Sequence, residues 1–91
     1  MALVRPKIRD DLAFVVLDGE AVIYDTQNQN IHHLNPTATL LFELFDGSAT
    51  VPDLAADIGE AFGMPAEDAE VQIRHLMRQF RKAQLLEKAS R

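Results

Sequence analysis

The sequence contains no cysteine, which excludes a disulfide framework, a thiolate metal site and a thiol nucleophile, and which suits a reducing compartment. Glycine is scarce, with 4 residues in 91. None lies in a GxGxxG, GxxxxGK[ST] or GxSxG arrangement, so no loop is built to cradle a phosphate or to raise a nucleophilic serine. No apolar run approaches the ~18 residues of a membrane span, and the opening MALVRPKIRD lacks the apolar stretch of a signal peptide. A soluble, cytoplasmic protein is expected. Basic side chains are nearly missing from residues 1–73, which hold three of them against thirteen acidic ones, whereas residues 74–91 hold six basic and one acidic. The acidic total of −5 argues against non-specific nucleic-acid binding, which depends on neutralising several phosphates.

A chain of 91 residues fits one small domain, expected over 1–91 with its core at about 14–86. A domain of this size buries only roughly 60 to 65% of the surface its unfolded chain exposes, so nearly every apolar residue is needed for core and little remains to wall a deep pocket. Two β-type runs come first, LAFVVL (12–17) and EAVIYDT (20–26), separated by Asp18-Gly19, the two-residue signature of a type I′ hairpin. A polar turn, QNQN (27–30), leads to IHHL (31–34), long enough for a third strand. The economical topology is a three-stranded antiparallel meander that leaves this third strand on an edge.

Three helices follow. Asn35 has the side-chain oxygen of an N-cap and Pro36 suits the first helical position. The helix from there to Phe45 is apolar nearly all round, with Ala38, Leu41, Phe42 and Phe45 on one stripe and Leu40 and Leu44 on another, which places it centrally. Asp46-Gly47 should end it, with Gly47 as a left-handed C′ residue. The spacing predicts a second helix over 51–62, capped by Thr50 with Asp53 in its first turn, burying Leu54, Ala55, Ile58, Ala61 and Phe62. Gly63 ends it. A third helix should run from about Pro65 to Lys82 with acids at its start and bases at its end, as the helix dipole prefers. Its expected stripe is Ala69, Ile73, Leu76, Met77 and Phe80, after which Leu85 and Leu86 tuck under the sheet or against the helices. The order is βββααα, an α+β fold.

Catalytic chemistry finds no support in this pattern. His32 and His33 are adjacent on a strand and point to opposite faces, so they cannot easily chelate one ion. His75 has no HxxxH or HExxH partner on its helix, and the acids sit in turns and helix starts where capping explains them. No metal, no cofactor and no enzymatic activity are expected. Two surfaces stand out instead. One is the edge of 31–34, whose unpaired N–H and C=O groups are a template for another extended chain. The other is a mixed apolar and cationic strip on the third helix, where Arg74, Arg78 and Arg81 share a side with Val71. For these the ordinary account is a solvated face, with Glu70 and Arg74 forming a helpful i,i+4 pair.

The order AVIYD…IHHLNPTATLLFELFDGSATVPDLAADIGEAF, followed by a helix bearing VQIRHLMRQFRKAQLL, resembles the PqqD-like family, also called RiPP recognition elements. The resemblance covers roughly 14–86, and its most specific parts are Leu34-Asn35, Asp46-Gly47, the start of the second helix from Thr50, and Leu85-Leu86. It implies a winged helix-turn-helix-like domain. The implied function is a non-catalytic peptide chaperone, which binds the leader segment of a ribosomally made precursor peptide and presents it to a modifying enzyme such as a radical SAM enzyme or a leader protease. In such proteins the leader adds as a strand to the third β-strand and lies between it and the third helix. Carried onto this chain, the peptide groove comprises Ile31, His32, His33 and Leu34 with Val71, Arg74, His75 and Arg78, while Met77 or Arg81 can replace one of the helix contacts. Arginines there suit acidic leader residues.

Two alternatives share this architecture. A winged-helix DNA-binding protein would use Arg74, Arg78 and Arg81 on phosphates or bases, although the hairpin turn carries Glu20 instead of a basic wing. A structural subunit of a larger biosynthetic enzyme would bind neither ligand. Oligomeric state stays open, because an exposed edge strand can pair with its own copy or swap.

Overall fold

In a computed structural model, which describes residues 4–87, three strands precede three helices: β1 (Ala13–Leu17), β2 (Glu20–Asp25), β3 (Asn30–His33), α1 (Pro36–Leu44), α2 (Val51–Phe62) and α3 (Ala66–Lys82). The sheet order is β1-β2-β3. The β1–β2 hairpin closes through Asp18 and Gly19 at φ 53° and 76°, the double positive φ of a type I′ turn, and pairs Leu17 with Glu20 through to Ala13 with Tyr24. Gln29, at φ 57°, then aims the chain back along β2, so that β3 starts at Asn30 opposite Asp25 and ends with His33 opposite Val22. The third strand therefore sits one residue earlier than the run IHHL suggested. Leu34 still donates its N–H to the Ala21 carbonyl at 2.8 Å, but its own carbonyl accepts the Thr39 hydroxyl of α1 and the ladder stops there.

Among the described residues only one face of the sheet is covered. Alternate residues of β2, namely Ala21, Ile23 and Asp25, have no solvent exposure, and the strand packs on α1. Phe14 of β1 adds an edge-to-face contact with Phe42, ring centroids 4.9 Å apart. Thr39, buried on α1, accepts the Ala21 N–H at 2.9 Å and so occupies the place that a strand carbonyl would otherwise take.

Asn35 caps α1 by accepting the Ala38 N–H at 2.8 Å. The helix stops at Leu44 with Phe45 as its C-cap, earlier than expected, and Gly47 is not the C′ residue. Its left-handed φ of 84° serves a different contact: the Gly47 N–H donates to the Pro6 carbonyl at 3.0 Å, and a Cβ here would lie 3.0 Å from Lys7 Cδ. The segment before β1, on which the sequence pattern was silent, is thus structural. Residues 6–9 run between the α1–α2 connection and the C-terminal segment, with Ile8 donating to the Phe45 carbonyl, Arg9 to that of Leu85, and Glu87 to that of Lys7.

α2 opens with a reciprocal Thr50–Asp53 capping box and ends at Gly63, φ 68°. Its buried residues are Val51, Leu54, Ala55 and Gly59, with Ile58 half-buried. Ala61 and Phe62, expected inside, are exposed. The cause is the tight return at Gly59, where a Cβ would meet the Met64 carbonyl oxygen at 2.8 Å. The chain crosses there into α3, which covers α2 only up to this point and leaves the last turn projecting. α3 buries Ala69, Ile73, Leu76, Met77 and Phe80, all five as the 3.6-residue period predicts. Phe80 stands edge-to-face against Phe45 at 5.8 Å, and Leu85 closes the core with its N–H on the Phe80 carbonyl.

Three substitutions test this packing. Gly59→Ala, which at an ordinary helix interior gains about 1 kcal/mol, should instead destabilise by about 1 to 3 kcal/mol because backbone blocks the methyl. Thr39→Val should cost about 1 to 3 kcal/mol by stranding the Ala21 N–H, while Thr39→Ser stays near wild type. Urea unfolding monitored by circular dichroism reads all three.

Candidate functional site

The pairing of β3 decides which of its backbone groups are free. Antiparallel ladders alternate between residues that exchange hydrogen bonds and residues that do not. Leu34 donates to Ala21, and in the observed register His32 opposes Ile23 and Asn30 opposes Asp25. These residues therefore turn their main-chain groups toward β2. Ile31 and His33, in the intervening positions, turn theirs away from the sheet. The free edge consists of two N–H and two C=O groups spaced to receive an antiparallel strand.

Side chains follow the same alternation in the perpendicular direction. Ile31, 71% exposed, and His33 stand on the open face of the sheet beside Tyr24 and Val22. The His33 ring lies 2.8 Å from the Glu20 carboxylate, Nε2 to Oε1. His32 faces inward, half-buried, and its Nε2 is buried without a hydrogen-bond partner. Leu34 lies one residue past the strand, and its side chain belongs to the core.

The α3 residues of interest fall into two groups. Val71, 64% exposed, and Arg74 line a shallow depression together with Pro52 and Ala55 of α2, and Arg74 is held to Glu70 by Nε and Nη2 contacts of 2.8 and 2.7 Å. His75 and Arg78 are exposed farther round the helix. Of the two residues weighed as substitutes, Met77 is buried, and both it and Arg81 line a separate groove beside residues 4–9. Among the described residues no hydrogen bond or ion pair joins β3 to α3, and no β3 residue lines the depression at Val71 and Arg74, which lies between α2 and α3.

Sequence reasoning missed the strongest polar feature of the domain. Arg9 Nη1 and Nη2 lie 2.8 and 3.2 Å from the two oxygens of Asp25, a bidentate pair whose carboxylate has no solvent exposure. Arg9 also donates to Asp11 and to the Gln84 carbonyl. Asp25 in addition accepts the Asn28 side-chain amide at 2.8 Å and the Asn28 N–H at 3.2 Å. The Arg9 guanidinium, helped by Asn28, holds the Asp25 carboxyl well below the usual carboxylate range. In turn Asp25, then Asp11, raises Arg9. The signal was present in the alternation: positions 21, 23 and 25 share the inward face, and an acid in that series needs a buried partner. This pair fixes the β2–β3 turn and thereby the position of the β3 edge.

Among the described residues no group of three or more His, Asp or Glu side chains is placed to hold a metal ion, and no helix is long and apolar enough to cross a membrane. What the fold does offer is a three-stranded antiparallel sheet with one open edge followed by a helix-turn-helix pair, a small α+β domain. The chain belongs to the PqqD family: the model of that family, described as coenzyme PQQ synthesis protein D, matches residues 20–86. No curated protein matches the sequence. Two solved structures share the fold. "TbiB1 in Complex with the TbiA(beta) Leader Peptide" superposes with a TM-score of 0.80 at 19% identity, covering 93% of this chain and 99% of that one. "Lasso peptide synthetase B1 complexed with the leader peptide" gives 0.78, also at 19% identity, covering 91% and 98%.

The buried pair makes acid sensitivity predictable in sign. Asp25 is depressed in the folded state, so its contribution to stability is present above its unfolded value of about 4 and is lost as pH falls from there toward the lower folded value. Urea midpoints should fall as pH drops from about 5 toward 2. Asp25→Asn should lower the midpoint at pH 7 and flatten that acid dependence.

Proposed function

We propose that this protein is a non-catalytic peptide-binding module of the cytoplasm, which takes the leader segment of a ribosomally synthesised precursor peptide as an added strand on β3 and presents it to a modifying enzyme. A radical SAM enzyme or a leader protease is the kind of partner that such a role requires. The observation that carries the proposal is the outward-facing pair of main-chain positions at Ile31 and His33. Strand addition lets so small a chain bind a peptide without a deep pocket: backbone hydrogen bonds supply docking, and side chains on either face choose the sequence. Membership of the PqqD family and the shared fold of two leader-peptide complexes support this reading. The whole chain acts as one recognition domain. In it Ile31, His32 and His33 form the edge, Leu34 anchors that edge to the core, and Val71, Arg74, His75 and Arg78 are the helix-side contacts. Arginine at 74 or 78 pairs with acidic leader residues.

The test is an amide NMR titration with the synthetic leader of a short precursor encoded beside the gene. Shifts should concentrate at Ile31 to Leu34 and along Val71 to Arg78, and should survive moderate salt. The absence of any shift at high peptide concentration would remove leader binding for that peptide. A second readout addresses the mode of binding. N-methylation at successive peptide positions should alternate between harmless and harmful, each blocked hydrogen bond costing about 0.5 to 1.5 kcal/mol, or roughly twofold to tenfold in affinity. A pattern without period two would contradict strand addition.

A further inference from the structure

Between residues 4–9 and the C-terminal half of α3 lies a groove of about 1070 Å³, which the contacts assigned above to β3 and α3 leave unused. Its floor is apolar, formed by Pro6, Met77 and Leu86. Gln27 of the β2–β3 turn forms the end nearest β3. The charges on its rim are unequal in availability. Lys7 is engaged by Asp10 at 2.6 Å and Glu87 at 3.2 Å, and Arg9 by Asp25 and Asp11. That accounts for every acid on the rim. Arg5 and Arg81 line the same groove, are exposed, and among the described residues have no ion-pair partner. The groove therefore offers an apolar trough with two uncommitted guanidinium groups.

We infer that this groove holds the stretch of the precursor peptide that follows the docked strand, an extended segment carrying acidic side chains beside apolar ones. The inference rests on the leader-binding reading above and extends it. Antiparallel addition is the stronger pairing, and a strand running antiparallel to β3 leaves the edge at Asn30 with its C-terminal end foremost. That end meets Gln27 and the mouth of the groove. Guanidinium groups recognise carboxylates through paired N–H donors, and the apolar floor accepts intervening side chains. Recognition then extends beyond the strand toward the part of the precursor that is to be modified, and the groove sets the direction in which that part leaves the protein.

The experiment uses the full chain and two synthetic peptides: the leader of the precursor encoded beside the gene, and the same leader cut immediately after the strand-forming segment. The long form should shift the Met77 methyl and the Arg5 and Arg81 Nε–H resonances, and the short form should shift β3 alone. Arg5→Gln and Arg81→Gln, both at exposed positions, should each weaken the long peptide roughly twofold to fivefold and leave the short one unchanged. A peptide truncated instead on the N-terminal side of the strand should keep the groove shifts. If both lengths shift β3 and neither perturbs the groove, or if the two variants bind the long peptide like wild type, the inference is overturned while leader binding stands. If neither peptide shifts β3, the leader reading itself falls and this inference falls with it.

Discussion

The sheet is fastened to the helices chiefly through one side of its middle strand. Ala21, Ile23 and Asp25 are the three inward residues of β2, and all are fully buried. Ile23 supplies apolar contact with the helical layer, Ala21 hands its N–H to Thr39 of α1, and Asp25 receives Arg9. With the attachment concentrated on the centre of a three-stranded sheet, both outer strands keep one side free. A larger domain would cover these edges with further elements, as unpaired strand edges invite aggregation. Here the described residues supply no further element to cover them, and the outer edge of β3 stays open.

Polar groups rather than apolar bulk set the position of that edge. The turn between β2 and β3 is held by Asp25 through Asn28 and, from outside the sheet, by Arg9. The far end of β3 is held by Leu34, which gives its N–H to β2 and its carbonyl to Thr39. Between these two fixed points lie Ile31, His32 and His33, whose side chains are largely free of internal obligations apart from the His33–Glu20 contact. A rigid frame around a sparsely committed strand suits recognition, because ordering costs are met by folding instead of by binding.

The sequence made the periodic parts of this structure legible and left the non-periodic ones dark. The hairpin, the capping residues Asn35 and Thr50, and the five-residue stripe of α3 follow from local rules, because turn chemistry and a 3.6-residue period act over a few residues. Phe62 obeyed the same period and still lies outside, since where α3 stops covering α2 depends on the backbone approach at Gly59, a tertiary event. The role of residues 6–9 could not be read at all: an irregular segment carries no period, and its hydrogen bonds reach Phe45 and Leu85, distant along the chain. For the candidate site, the edge strand was foreseeable from the meander. Which main-chain groups face outward was not, because a shift of one residue in register exchanges the two sets. The PqqD resemblance supplied what local patterns could not, a reason to expect α3 and β3 to act together.

The pairing of Lys7 with Glu87, main-chain oxygen to main-chain N–H at 2.8 Å, brings the two ends of the described chain side by side. A polypeptide that enters and leaves a compact body at one point can be spliced into a host loop without stretching either partner. The same closeness would allow the ends to be joined by a short linker and the chain reopened at the Asp18-Gly19 turn, giving a permuted molecule with the same sheet order. Modularity of this kind comes from the pairing of residues 6–9 with the C-terminal segment, and it would make the domain portable between a free-standing form and a fused one.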